Sequence, residues 1–441
     1  MTDLLAQPFR LPCGATLPNR LCKAAMTESI ADPWLRATER HNTLYRRWSE
    51  GGAGLLITGN VQIDRRVLER PGNVAIDGNG GIERLKAWAQ AGTVGGNHLW
   101  MQISHAGRQS PRYIAREPMG PSAVQLDMLG NYAKPRELRE DEILDFIQRF
   151  AHAARTARET GFTGVQIHAA HGYLLSSFLS PVTNVRSDAW GGSIENRARF
   201  LVETVRATRA AVGDDFAVGI KLNSDDFRKG GFSNEDCLRV VEMLNAEKVD
   251  LLEISGGTYE QPRLLGFSGR DDSAAEPQRQ STKQREAYFL DYAERIRAVA
   301  RMPLMVTGGF RTRSGMEEAL SGGHCDIIGL GRPLCTDTDF PKRLLAREVD
   351  EAPRYEKTLK LGKARWLSGA SPLFFIKLIN VLGQQGWYYQ QLFRLADGLA
   401  PDLDRGVARS FFAYLADEQT VAARMRKARR ALDAGATPPG E

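Results

Sequence analysis

No C-x-x-C pair occurs in this sequence, and its five cysteines (Cys13, Cys22, Cys237, Cys325, Cys335) are scattered. That spacing argues against a zinc ribbon, an iron–sulfur cluster and a disulfide framework, and it suits a reducing compartment. No run of 18 or more apolar residues is present, and Met1 to Pro18 has neither a basic start nor an apolar stretch. Neither a membrane span nor a secretory leader is therefore expected, and the location read from the sequence is cytoplasmic. No strand-like run is followed by G-x-G-x-x-G, which counts against an open doubly wound sheet. The charge surplus is small: +6 over 441 residues, with Lys and Arg mostly alternating with acids. The densest basic run, Arg424 to Arg430, reads as a solvated helix face, so no nucleic-acid partner is expected.

What the sequence does have is ordinary globular composition, 42% hydrophobic and 25% charged, enough for a large core. Short apolar, β-branched runs recur, with amphipathic helical stretches between them. There are eight: Leu21 to Met26, Gly54 to Gly59, Leu99 to Ile103, Gly164 to His168, Phe216 to Leu222, Asp250 to Ile254, Pro303 to Thr307 and Asp326 to Leu330. Before the fourth run, Ile143, Phe146, Ile147, Phe150, Ala154 and Ala157 fall on one helical face and Gly161 follows as a terminator. Such alternation predicts parallel strands with crossover helices, an α/β fold of the closed (β/α)8 TIM-barrel type over residues 1–350. Two connections, Ser104 to Leu138 and Ser255 to Gln284, are too long for simple linkers. Both leave strand C-termini, the catalytic face of a barrel, and read as lids. Residues 351–441 read as a helical C-terminal extension. Its apolar face suits packing on the barrel or on a second subunit, which would make a homo-oligomer. A membrane-surface anchor is less expected, because Lys377 and Arg394 are the only charges from Leu373 to Ala396.

The stretch richest in chemistry is Val165 to Pro181. His168, His171 and Tyr173 run out of a strand's C-terminal end, which turns two imidazoles and a phenol toward one pocket. An imidazole pair can hold a carbonyl or nitro oxygen and withdraw electrons from a conjugated alkene, and a phenol can donate a proton. Core packing explains the same residues. So does a His-x-x-His metal pair, although no third ligand stands on a neighbouring strand, so no metal is expected. Alone, the stretch leaves catalysis and packing open.

The series Ile167-His168-Ala169-Ala170-His171-Gly172-Tyr173, Phe178-Leu179-Ser180-Pro181, Asn184-x-Arg186 and Trp190 to Arg197 resembles the Old Yellow Enzyme family of NAD(P)H:flavin oxidoreductases. Asn19-Arg20, Ala25-Met26-Thr27, Met101 to Arg108, Gly120-Pro121-Ser122, Ile254 to Gly257, Thr307 to Gly309 and Gly329 to Pro333 agree in the same order, over residues 7 to 345. The resemblance implies a small-molecule oxidoreductase with non-covalent FMN, reduced by NADH or NADPH. It places Ala25, Met26, Thr27, Gln102, His168 and Lys221 around the flavin ring and Gly308, Gly309, Gly331 and Arg332 around its phosphate. Thr27 would lie near flavin O4 and N5, and Gln102 at the pyrimidine edge. Lys221 stands where the family often has arginine, keeping the charge but losing the planar fork. It also implies an ene-reductase reaction, with His168 and His171 orienting the acceptor oxygen and Tyr173 as proton donor. Glu28-Ser29 stands where some members place a tyrosine over the substrate; Trp34, Tyr132 and Tyr259 are candidates for that wall.

Four rivals remain at this stage. An NADH oxidase or an FMN-dependent metabolite dehydrogenase would use the same pocket. The iron–sulfur relatives such as 2,4-dienoyl-CoA reductase need a cysteine-rich run that is absent. The tRNA dihydrouridine synthases need a catalytic loop cysteine beside a base, which none of the five provides. A non-catalytic binding barrel would have no use for the paired histidines.

Overall fold

Each of the eight apolar runs forms a strand in the computed structural model, which describes residues 3–128, 130–255 and 292–434. The barrel strands are β1 (Leu21–Lys23), β2 (Leu55–Ile57), β3 (His98–Ser104), β4 (Gly164–Ala169), β5 (Ala217–Asn223), β6 (Leu251–Ser255), β7 (Leu304–Thr307) and β8 (Ile327–Leu330). All neighbours pair in parallel, and β8 returns to β1 through Ile328 opposite Leu21, closing the cylinder. The helices that pack outside include α1 (Glu39–Glu50), α2 (Ile82–Ala91), α3 (Glu140–Glu159), α4 (Leu174–Leu179), α5 (Ile194–Val212), α6 (Asn234–Leu244), α7 (Arg313–Ser321) and α8 (Phe340–Leu345). The chain is thus a (β/α)8 barrel followed by C-terminal helices.

Local chemistry explains the boundaries. The Ser193 hydroxyl accepts the Asn196 N–H at the start of α5, and Ser233 and Asp236 form a reciprocal capping box at the start of α6. The α3 face expected from the sequence is buried as Ile143, Phe146, Ile147, Phe150, Ala154 and Ala157.

Strand alternation sorts the core into two. Outward residues such as Val165, Ile167, Ile220, Leu252 and Ile254 pack under the helices. Inward residues Cys22, Leu55, Ile57, Trp100, Ala217, Leu251, Met305 and Ile327 form a separate floor, plugged from below by Leu11 and Leu17 of an N-terminal hairpin. The Trp100 indole fills the cylinder because Gly164 and Gly219 leave room for it. A Cβ at those positions would meet the ring at 2.5 and 2.7 Å.

Two long helices complete the chain, α9 (Phe374–Ala396) and α10 (Val407–Asp433). They pack on each other and on the barrel. The Arg47 guanidinium donates to the Leu399 carbonyl at 2.8 Å, Arg40 pairs with Asp397 at 2.7 Å, and Arg70 forms a buried ion pair with Glu418. The extension packs on the barrel, one of the readings open from sequence. Among the described residues no helix is long and apolar enough to cross a membrane. The basic run Arg424 to Arg430 is largely solvated.

Candidate active site

Above the apolar floor, the next inward position on four successive strands is polar: Gln102 on β3, Gln166 on β4, Lys221 on β5 and Glu253 on β6. The parallel register sets Gln102 beside Gln166, and Lys221 beside both His168 and Glu253. All four are buried. They form a chain of contacts: Gln102 Nε2 donates to Gln166 Oε1 at 2.7 Å, Gln166 Nε2 donates to Glu253 Oε2 at 2.7 Å, and Lys221 Nζ lies 2.8 Å from Glu253 Oε1. An ion pair this deep is stable only with such further hydrogen bonds.

Two residues further along β4, β5 and β6 stand His168, Asn223 and Ser255, and Thr307 takes an inward position at the end of β7. The His168 ring lies 5.1 Å from His171 and 4.9 Å from Tyr173, both edge-on, so the three sequence-predicted catalytic side chains do meet. His171 takes a left-handed backbone conformation, φ 63°, a strained state of order 1–3 kcal/mol for a residue with a Cβ. Its N–H donates to Asn223 Oδ1 at 3.1 Å, and its carbonyl accepts from Gln109 Nε2 at 2.8 Å. The turn aims the imidazole across the mouth, where Nε2 is 2.6 Å from Ser255 Oγ. Burial, with His171 and Lys221 nearby, holds His168 well below the usual imidazole range. Burial and Lys221 lower His171 to about 3. Both rings are neutral at pH 7.

The segment after Tyr173 is stapled by the motif residues read from sequence. Asn184 Nδ2 donates to the carbonyls of Phe178 and Trp190, each at 2.8 Å. Arg186 Nη1 reaches the Leu138 carbonyl at 2.6 Å, tying down the end of the long β3 connection. These residues hold the loop rather than face the mouth.

At the other rim, Ala25, Met26 and Thr27 leave β1 next to the β8 turn, with Met26 Sδ 3.5 Å from Cys335 Sγ. The Thr27 hydroxyl donates to Glu69 at 3.1 Å and accepts from Asn60 at 3.4 Å. Glu69 is half-buried, and its loss of water raises its carboxyl pKa. Tyr132 is buried beside Glu69 and the extension's Tyr414 and Glu418. Trp34 lies under the Arg36 guanidinium, 5.4 Å from the ring centroid, and Tyr259 falls outside the described residues.

The two turns expected to hold phosphate are open and adjacent. Gly308 and Gly309 follow β7 with φ 143° and 80°, conformations that glycine adopts without strain. A Cβ on Gly331 would meet only Met26 Sδ, at 3.9 Å. Arg332 is exposed, makes no hydrogen bond or ion pair among the described residues, and begins a short 3-10 turn. The buried Thr307 hydroxyl has no hydrogen-bond partner among the described residues. An unpaired cation, an orphaned hydroxyl and backbone bare of side chains fit a phosphate, and the Lys221 ammonium with the Gln102 amide fits an anionic pyrimidine edge. FMN therefore suits the residues present. Among the described residues, no cluster of His, Cys, Asp or Glu could hold a metal ion.

Gln166 and Glu253 were not singled out from the sequence, although each is a polar residue at an inward position of an apolar run. Ser255 and Asn223, which position His171, were also missed.

A family model described as NADH:flavin oxidoreductase / NADH oxidase family matches residues 5–351. The chain is 40% identical over 363 residues to the NADH-dependent flavin oxidoreductase iliE of Neonectria sp., an alignment covering 78% of this chain and about half (47%) of that one. It is 37% identical over 421 residues to iccE of Talaromyces variabilis, also described as an NADH-dependent flavin oxidoreductase, covering 90% and 99%. Among solved structures, the Old Yellow Enzyme homologue from Zymomonas mobilis superposes with a TM-score of 0.66 at 26% identity, covering 84% of this chain and 99% of that one. Sequence, fold and mouth agree: the chain belongs to the NADH:flavin oxidoreductase / NADH oxidase family, as an FMN-dependent oxidoreductase of the Old Yellow Enzyme type.

Proposed function

We propose that the protein is an ene-reductase, using NADH or NADPH to reduce a small-molecule alkene activated by a carbonyl or nitro group. The observation that carries this reading is the meeting of the His168, His171 and Tyr173 rings at the end of β4. FMN, when bound, would supply the hydride chemistry between nicotinamide and alkene. The chain's own groups act on the rest of the acceptor. His168 Nδ1 accepts the Ala170 N–H at 3.2 Å, so a neutral ring carries its proton on Nε2 and can donate it to the acceptor oxygen. His171, neutral and braced on Ser255, supplies the second donor. These hydrogen bonds strengthen as negative charge grows on that oxygen, which is what lowers the barrier. Tyr173 protonates the neighbouring carbon. Lys221, held by Glu253, and the Gln102 amide bind the pyrimidine edge. Thr27, Ala25 and Met26 border the ring, and Gly308, Gly309, Gly331 and Arg332 bind the phosphate. The two relatives described as NADH-dependent favour NADH as reductant.

Stopped-flow absorbance separates the half-reactions. Y173F is expected to leave flavin reduction by NADH within a small factor of the parent and to slow anaerobic reoxidation by cyclohexenone about 10²- to 10⁴-fold. Equal slowing of both steps would remove Tyr173 from the proposed role. Reoxidation by dioxygen with no response to any enone would favour a plain NADH oxidase.

A further inference from the structure

The stretch from residue 357 to 396 contains six Lys and Arg and no Asp or Glu, while the whole chain has a formal net charge of +6. Everything outside that stretch is therefore balanced. From the helix alone the charge is diluted, since α9 contributes only Lys377 and Arg394. The fold concentrates it. Residues 359–367 lie across the first half of α9, where the Leu361 N–H donates to Asn380 Oδ1 at 3.0 Å, Asn380 Nδ2 donates to the Leu367 carbonyl at 3.1 Å, and Gln384 Nε2 donates to the Leu359 carbonyl at 2.7 Å. Lys360, Lys363 and Arg365 are thereby carried to the same end of the molecule. All three are exposed and make no ion pair among the described residues.

That end also exposes large apolar side chains. Trp366 is 55% exposed, Leu373 55%, Phe374 48% and Phe375 75%. Partner helix α10 begins only at the level of Gly383, which abuts Val407, so the first nine residues of α9 extend beyond it. Tyr388, which hydrogen-bonds Glu356, lies fourteen residues from Phe374, or ~21 Å along the helix.

We propose that this tip, Lys360 to Lys377, docks on a bilayer surface rich in anionic phospholipid. Trp366 and Phe375 enter the headgroup and acyl boundary, while the flanking lysines and arginine meet the lipid phosphates. Charge favours this occupant over a second copy of the chain, because a two-fold contact would set the same cations against one another. The anchor is interfacial, since neither helix of the extension is long and apolar enough to span.

Cosedimentation of the FMN-loaded protein with vesicles tests it. Binding is expected to phosphatidylcholine vesicles that contain phosphatidylserine, and to fall about 100-fold on charge reversal in K360E/K363E/R365E. The variant W366S/F375S should lose the part of the binding that resists high salt. All five side chains are exposed, so an unchanged melting temperature and flavin spectrum serve as the folding control. No binding, equal binding to phosphatidylcholine alone, or indifference to both variants would overturn the proposal. So would a lipid-free dimer that W366S/F375S dissociates, which would assign the tip to a second copy.

Discussion

The mouth of the barrel and the seam under the extension both bury charge, but they handle it in opposite ways. In the seam, the Arg70 guanidinium lies 3.6 Å from the centroid of the Tyr389 ring and pairs with Glu418, whose second oxygen accepts the Tyr113 hydroxyl at 2.7 Å. These partners are all protein, and the bonds pin α9 and α10 to the segment after β2. At the mouth, Lys221 and Glu253 pair beneath two imidazoles kept neutral, and Arg332 stands with no partner among the described residues. Burial spent on closed pairs gives stability. Burial spent on neutral donors and waiting cations gives a binding site, and stability is lost wherever pH or mutation removes that neutrality.

The largest expected effect of that difference is on acid stability. His41, buried between α1 and α2, is lowered to about 3 by burial and the nearby Arg40; His171 is also lowered to about 3, and His168 lies well below its usual range. The folded chain leaves these three rings unprotonated where the unfolded chain, near 6.5, takes up a proton on each. The contribution of these rings is therefore fully present above about 6.5 and is lost as pH drops toward 3, approaching about 4 kcal/mol per pH unit once the unfolded rings are charged. Urea midpoints measured across this window check it, and H171N, which cannot titrate, should reduce the slope by about a third. A flat profile would mean the rings are not buried neutral.

Next in size is the seam. E418A strands the Arg70 cation under the extension and is expected to destabilise by about 3–5 kcal/mol in chemical denaturation, with FMN absorbance retained once the protein is folded. The double variant R70M/E418L should recover most of that loss, because two apolar side chains leave no buried charge unpaired. If E418A instead released FMN without lowering the denaturation midpoint, the seam would belong to the site and the contrast would fail.

Legibility in the sequence follows the same divide. The eight strands could be read because outward Val, Ile and Leu on β4 to β6 leave continuous apolar runs, and the chemistry at the end of β4 lies within six residues, His168 to Tyr173. Gln166 and Glu253 sat inside those runs as single polar residues. Only the folded barrel brings their side chains together, over the intervening strand β5. Arg70 and Glu418 are 348 residues apart, and no local pattern joins them. The cations at Lys360 to Arg365 were equally hidden, since they precede α9 and reach its tip only through Asn380 and Gln384.

The smallest effect is the most specific to the mouth. Glu253 neutralises Lys221 and, through Gln166, orients Gln102. E253Q keeps the size and one hydrogen-bond acceptor but removes the negative charge beside the ammonium. Lys221 then acts more fully on whatever negative charge the flavin's pyrimidine edge carries. The midpoint potential of bound FMN is expected to rise by about 30 mV, equivalent to about 1.4 kcal/mol for two electrons. Anaerobic titration against a reference dye reads the potential directly, independent of turnover. E253D, which retains the charge on a shorter stem, should fall between the two. A potential unmoved by E253Q would place Lys221 away from the flavin and leave the Lys221–Glu253 pair, like Arg70–Glu418, as a pin of the fold.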